Sequence, residues 1–191
     1  MLRLRYQTPS TWQDAVLADL NAFLRDHAHA ERKVASSAMA LAGQHHRRPE
    51  LVAEMIDLAL EELTHFKQVH DLLVARGQTI GQDGPDLYMG GLFKQLRRRD
   101  VNEYLLDRLL LFGIVEARGC ERFQMVTEVL PEGPVRAFYL ELTRCEARHH
   151  ALFLRLARQF FEADRVEERL DALLDAEAEV VAGLVIRSAL H

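Results

Sequence analysis

Two short stretches of this 191-residue chain carry the same two side chains at the same spacing. "LEELTHFKQ" (60–68) holds Glu62 and His65, and "RCEARHHAL" (144–152) holds Glu146 and His149. On a helix, residues three apart lie on one face about a turn apart. Each pair can therefore present carboxylate oxygens and an imidazole nitrogen to one cation. A lone Glu-x-x-His is commonplace as a solvated face or a satisfied core histidine. Here each pair also has a glutamate about thirty residues upstream: Glu31 precedes Glu62 by 31 residues and Glu116 precedes Glu146 by 30. The pattern Glu, about thirty residues, Glu-x-x-His thus occurs twice, as a duplicated helical hairpin would give it.

The apolar residues around these six side chains place them in a core. Positions 55, 58, 62, 65, 69 and 72 read Met, Leu, Glu, His, Val, Leu, and 139, 142, 146, 149, 153 and 156 read Tyr, Leu, Glu, His, Phe, Leu. Positions 24, 27, 31, 34, 38 and 41 read Leu, His, Glu, Val, Ala, Leu, and 109, 112, 116, 119, 123 and 126 read Leu, Phe, Glu, Gly, Phe, Val. All four are seams of three-four spacing, the pattern that packs helices into a bundle, and each is interrupted at the same rung. Four buried carboxylates would repel one another and cost several kcal/mol each. Two divalent cations would neutralise them, with two neutral imidazoles completing the ligand set. One Glu from each of two helices plus Glu-x-x-His from each of the other two is the donor set of ferritin-like di-iron and di-manganese bundles. The spacing casts Glu62 and Glu146 as bridging ligands, Glu31 and Glu116 as terminal carboxylates, and His65 and His149 as terminal nitrogens. A mixed oxygen and nitrogen set suits iron or manganese better than a thiolate metal and leaves the choice between them open. Glu61, Glu121, His27 and His150 lie close by in other registers. Glu61 and His150 fall off the seams as flanking groups, and His27, on the seam one turn before Glu31, is either a polar neighbour of the site or a satisfied core histidine. No residue stands out for general acid–base work.

The elements that must position these residues follow from the breakers. A Pro-Ser-Thr start at 9 to 11 opens a short helix that kinks near Asp19 or Asn21 before a long helix to about Gly43. Pro49 opens a second, to about Gly77. The connection "GQTIGQDGPDLYMGGLFKQLRRRD" reads as loop with a short helix near its end. Three more helices are expected at roughly 101–129, 133–161 and 164–188, and no segment alternates as a strand does. The expectation is an all-α, ferritin-like four-helix bundle, with a long crossover between helices two and three and an additional C-terminal helix, in one domain over 1–191.

Composition narrows the class further. No apolar run approaches the roughly 18 residues of a membrane span, and "MLRLRYQTPST" lacks a signal-peptide pattern, so a cytoplasmic location without a membrane partner is expected. Cys120 and Cys145 make no CxxC site or disulfide framework and read as small buried hydrophobes. The formal charge of −5 neither announces nor excludes a nucleic-acid partner, because local basic patches outweigh the sum.

"EELTHF", "VEARGCERF", "CEARHH" and "DHAHAERKVASSA" resemble the tRNA 2-methylthio-isopentenyl-adenosine hydroxylase family, commonly called MiaE, from about Thr8 through the last helix. The resemblance implies a non-haem di-iron monooxygenase with two iron ions, O2 as co-substrate, and an external electron donor in the form of a reductase. Its substrate would be the isopentenyl group of a modified adenosine beside the anticodon, so a tRNA anticodon stem-loop is the implied partner. The six family ligand positions are matched at Glu31, Glu62, His65, Glu116, Glu146 and His149. Small residues beside the ligands (Gly113, Ala117 and Gly119; Ala35, Ser36, Ser37 and Ala38) serve either close helix packing or room for a prenyl tail.

Binding RNA requires cations for phosphates. "HHRR" (45–48), with Arg47 and Arg48, and "KQLRRR" (94–99), with Lys94, Arg97, Arg98 and Arg99, are the candidate contacts. They are expected at one end of the bundle, some 13 to 17 residues, or roughly 20 to 25 Å, from the ligands, so entry of the nucleotide through the side is an alternative. Arg144, Arg148, Arg155 and Arg158 form a stripe pointing away from Glu146 and His149. Rival readings are another di-metal oxidoreductase, resembling rubrerythrin or manganese catalase, and an iron-storage protein resembling bacterioferritin.

Overall fold

The computed structural model describes residues 2–191, which form seven helices and, among the described residues, no strand. They are α1 (Thr11–Ala18), α2 (Leu20–Gln44), α3 (Pro49–Ala75), α4 (Leu87–Phe93), α5 (Val101–Val129), α6 (Pro134–Phe160) and α7 (Ala163–Ala182). Two compact units divide the described residues: 14–85 with 187–190, and 2–13 with 86–186 and 191.

In the first unit α2 and α3 pair as a helical hairpin across the turn 45–48. The break expected near Asp19 falls there, because its carboxylate caps α2 by accepting the Ala22 N–H at 2.9 Å. Pro49 occupies the first turn of α3, and α3 ends into Gly77 at φ +69°, which favours glycine. The buried seam is Phe23, Leu24, Ala28, Ala35, Ala38 and Leu41 against Leu51, Met55, Leu58, Val69 and Leu73. It departs from the sequence seam at two places: Val34 and Leu72 are half-buried, and Ala35 and Leu73 take their places. A helix turns 100° per residue, so a seam of fixed spacing drifts and the next residue rotates in. The following connection is tied down by Arg25 donating to Gln78 at 2.9 Å and by Asp83 pairing with Arg32 and Lys33.

In the second unit α5 is buried on every side from Leu105 to Cys120. Covering it requires more than one partner helix, and α6 and α7 both pack on it. Such a helix has no solvated face to tolerate charge, yet Arg118 lies in the middle of it, fully buried. Its Nε and Nη2 donate to the two oxygens of Glu177 on α7 at 2.8 and 3.0 Å, Nη2 also donates to the Tyr6 carbonyl at 2.9 Å, and Nη1 meets Glu121. Tyr88 on α4 donates to Glu177 at 3.2 Å. Burial alone would lower the Arg118 pKa, but the hydrogen bonds and charge of Glu177 hold it above the ordinary range. Arg122, one turn on, lies over the Trp12 ring at 5.2 Å, and its pKa is pushed down to about 10 by burial and by Arg118.

A second anchor joins the α4–α5 connection to α5 and α7. Asp107, with a fully buried side chain, accepts from Arg97 Nη2 at 2.6 Å and from Arg169 Nε and Nη2 at 2.8 Å. Burial pushes this carboxyl up, but hydrogen bonds from Arg169 and Arg97 outweigh it and hold the pKa below the ordinary 3.8. The last helix stops at Ala182, six residues short of the expected end at 188. Gly183 N–H closes on the carbonyls of Glu179 and Val180, and beyond it Ser188 donates to the Asp19 carbonyl at 2.7 Å and Leu190 N–H to Asp26 at 2.8 Å. No helix among the described residues is long and apolar enough to cross a membrane.

Replacing Arg118 with Met strands the Glu177 carboxylate in the core, so the unfolding free energy should fall by about 3 to 5 kcal/mol, and the double change Arg118→Met/Glu177→Leu should recover most of it in a urea titration. Asp107 is expected to show a pH signature. Its folded pKa lies below the unfolded value near 3.8, so its contribution is present above that value and is lost as the pH falls through the lower one. The stability difference between wild type and Asp107→Asn should therefore be widest at neutral pH and shrink below about pH 4, as read by denaturant unfolding across the range.

Candidate metal centre

Each hairpin carries its own trio of donors. In the first, Glu31 on α2 and Glu62 and His65 on α3 are all buried, and one donor atom from each lies within 4.8 Å of the others. In the second, Glu116 on α5 and Glu146 and His149 on α6 are likewise buried, with donor atoms inside the same 4.8 Å limit. The i, i+3 pairs make the same contact in both: His65 Nδ1 lies 2.9 Å from Glu62 Oε2, and His149 Nδ1 lies 3.2 Å from Glu146 Oε2. A neutral ring keeps one lone pair whichever nitrogen holds the proton. The neighbouring rungs of the second unit's seams are apolar. Phe112 and Phe153 stack at 5.6 Å in the second unit, and Phe123 packs against Tyr139 at 5.3 Å.

His27, one turn before Glu31, is fully buried and its Nε2 is hydrogen-bonded to Glu31 Oε1. Complete burial, reinforced by the nearby His65 and opposed by Glu62, lowers its pKa to about 3. It is therefore neutral at physiological pH, and its Nε2–H donates to the carboxylate. Both readings left open by the sequence hold at once: His27 is a satisfied core histidine, and what satisfies it is a candidate ligand.

The other registers separate. Glu61 is exposed. Glu121 accepts from Thr8 N at 3.1 Å and Thr8 Oγ1 at 2.8 Å, besides Arg118. His150 is buried off the seam, where its Nε2 accepts the Leu2 N–H at 3.0 Å. Cys120 is buried, and burial, then Glu146, raises its thiol to about 11, which keeps it protonated and a poor ligand. Gly113 serves packing: a Cβ there would sit 3.4 Å from that of Phe153. His29 was not signalled by the seam. It is buried with both ring nitrogens lacking a hydrogen-bond partner among the described residues.

The candidate RNA contacts divide. Arg47 is exposed and Arg48 half-buried in the turn between α2 and α3. Lys94, Arg98 and Arg99 are exposed, whereas Arg97 is half-buried on Asp107 and Glu103. Arg144, Arg148, Arg155 and Arg158 form an exposed stripe, as expected. The network of Arg118, Glu177 and Tyr88 escaped sequence reasoning. Its one signal was an arginine two residues after Glu116 on an otherwise apolar face.

Four buried glutamates and two buried imidazoles, set in duplicate on long helices, define a ferritin-like helical protein of the kind that holds metal ions inside its bundle. A solved structure described as protein 43 with aldehyde deformylating oxygenase activity, from Synechococcus, superposes with a TM-score of 0.94 at 32% identity, covering 100% of this chain and 96% of that one. Within this class the assignment is narrower. Residues 2–191 match the sequence pattern of the tRNA-(MS[2]IO[6]A)-hydroxylase (MiaE) family, and the chain belongs to that family. A Pseudomonas putida protein named tRNA 2-(methylsulfanyl)-N(6)-isopentenyladenosine(37) hydroxylase is 34% identical over 174 residues, 91% of this chain and 84% of its own. A Salmonella typhimurium protein of the same name is 34% identical over 132 residues, 69% of this chain; the match spans about half of that relative's length, 48%.

Proposed function

We propose that this chain is an O2-dependent, non-haem di-iron monooxygenase that hydroxylates the isopentenyl group of 2-methylthio-N6-isopentenyladenosine in tRNA, in the cytoplasm. The observation that carries the reading is the pair of buried Glu, Glu, His trios in a chain of this family. The donor chemistry fits iron: oxygen and nitrogen only, four carboxylates against the four positive charges of two ferrous ions, and no thiolate. We propose that the six residues serve one two-metal centre in a single functional domain, with Glu62 and Glu146 bridging, Glu31 and Glu116 terminal, and His65 and His149 completing the set. Bound there, an iron pair would supply the reductive activation of O2 needed to hydroxylate an allylic methyl group, one oxygen atom going to the product and the other to water, with two protons taken up and two electrons drawn from an external reductase.

The chain's own residues set the conditions for that chemistry. Neutral His27 fixes the Glu31 carboxylate through its Nε2–H and adds no charge to the site. Phe112, Phe153, Phe123 and Tyr139, buried on the rungs beside the second trio, add hydrocarbon that keeps bulk water away from it. The Synechococcus structure favours a second reading, oxygenase chemistry on an aldehyde with the same donors, since it matches the full length of this chain.

Iron-loaded protein incubated with prenylated anticodon stem-loop, a reductant and labelled O2 should yield RNA carrying one added labelled oxygen by mass spectrometry. Glu146→Ala and His149→Ala should reduce product to background and lower the iron bound per chain. Absence of product alongside consumption of an aldehyde would move the assignment to the second reading, and full iron stoichiometry in both variants would contradict the ligand set. His27→Phe should retain the helices by circular dichroism and lower the affinity for ferrous iron, or the turnover, by roughly 10- to 100-fold, since groups that orient a metal ligand matter at that level.

A further inference from the structure

The run from Lys94 to Arg99 places four cations in six residues between α4 and α5. Crowded like charges repel, carboxylates or a polyanion opposite them relieve the repulsion, and among the described residues the structure supplies carboxylates to only one of the four. Arg97 is turned inward: its backbone N–H and its guanidinium both donate to buried Asp107, and Nη1 donates to Glu103 at 3.1 Å. Lys94, Arg98 and Arg99 are exposed and ion-paired to no carboxylate among the described residues, Arg98 meeting only the Phe93 carbonyl at 3.2 Å. Several cations elsewhere in the same unit are neutralised: Arg5 by Asp171 and Asp175, Arg158 by Glu167, Arg165 by Glu103. Lys94, Arg98 and Arg99 line one depression of about 690 Å³ over Phe93 and Leu96, whose wall also holds the Arg97–Glu103 ion pair.

We propose that Lys94, Arg98 and Arg99 form a binding site for RNA phosphates, and that Arg97, between them in sequence, makes no RNA contact but holds the segment in shape through Asp107. The proposal rests on the reading of tRNA as substrate, and charge complementarity selects the occupant: three exposed cations without carboxylate partners around one depression suit a sugar–phosphate strand. The site is remote from the chemistry. Val101 begins α5 and Glu116 lies 15 residues further along the same helix, about 22 Å at the helical rise. That distance spans several nucleotides of a stacked strand, so the phosphates gripped belong to the stem of the substrate and not to the reacting nucleotide. The site sets the register and orientation of the RNA and carries no base specificity.

The test is a salt series of fluorescence-anisotropy titrations with prenylated anticodon stem-loop and the iron-loaded full chain. Lys94→Gln/Arg98→Gln/Arg99→Gln should bind more weakly, and the plot of log affinity against log salt should flatten by about 2 to 3, the loss of three phosphate contacts. Arg97→Gln should keep the wild-type slope while its unfolding midpoint falls. Should the triple variant lose helical content, the single changes Arg98→Gln and Arg99→Gln decide, each expected to flatten the slope by about 0.7 to 0.9. An unchanged slope overturns the phosphate site, and equal flattening by Arg97→Gln overturns the division of labour. Capture of phosphatidylserine vesicles that the triple variant abolishes, with RNA affinity unmoved, would assign the cations to an anionic lipid surface instead. The hydroxylase reading fails separately: a wild type that grips the stem-loop with steep salt dependence but adds no oxygen to it keeps the phosphate site and loses the reaction.

Discussion

Carboxylates buried in the apolar core are the constraint around which this chain is organised. Each hairpin places two glutamates and a histidine where its own apolar seam calls for leucine or alanine. Desolvating such groups costs several kcal/mol apiece, and their mutual repulsion adds to it. Packing energy from the seams must therefore offset part of that cost. The flanking residues meet that requirement, since Met55, Leu58 and Val69 around the α3 pair and Leu142, Phe153 and Leu156 around the α6 pair are all buried. Substituting a donor by Ala relieves the electrostatic cost while opening a cavity, so loss of metal and loss of stability need not go together in such variants.

The two hairpins repeat in sequence but differ in what surrounds them. The residue four before Glu31 is His27, a hydrogen-bond donor to that carboxylate; the residue four before Glu116 is Phe112, an aromatic stacked on Phe153. The first unit thus orients its upstream carboxylate with an imidazole, and the second backs its own with hydrocarbon. The second unit also carries the burden of charge in its framework, with Arg118, Arg122, Glu177 and Asp107 all inside. Because α5 is enclosed on every side, the ends of its polar side chains reach neighbours on other elements, and these pairings fix α7 and the N-terminal segment onto it.

What could be read from the sequence was whatever repeats with a period. The long helices and the six candidate donors follow from three-four spacing, and the proline start at Pro49, the break near Asp19 and the helix within the 77–100 connection were signalled by local chemistry. What escaped depends on residues far apart in the chain. Glu177 was one acidic residue among many on an amphipathic helix, and nothing local distinguishes it from its solvated neighbours; only the approach of Arg118, 59 residues away, explains its burial. The end of α7 was misplaced for a related reason, because "GLVIRSAL" is compatible with a helix until Ser188 and Leu190 find Asp19 and Asp26. Helix propensity is a weak preference that a few tertiary hydrogen bonds can reverse.

The basic run at 94–99 shows the same limit on the scale of a single residue. Sequence treats Arg97, Arg98 and Arg99 as equivalent, and their charges are. Their positions are not, since Asp107 and Arg169 stand opposite only the first. A guanidinium locked by two hydrogen bonds to a buried carboxylate is unavailable to an incoming phosphate unless that carboxylate is stranded, which costs more than a surface contact returns. An exposed guanidinium without such a partner has no such debt, and its counterions are free to be released. Adjacent arginines therefore divide between architecture and recognition according to whether a buried acid lies within reach, and here Asp107 decides the division.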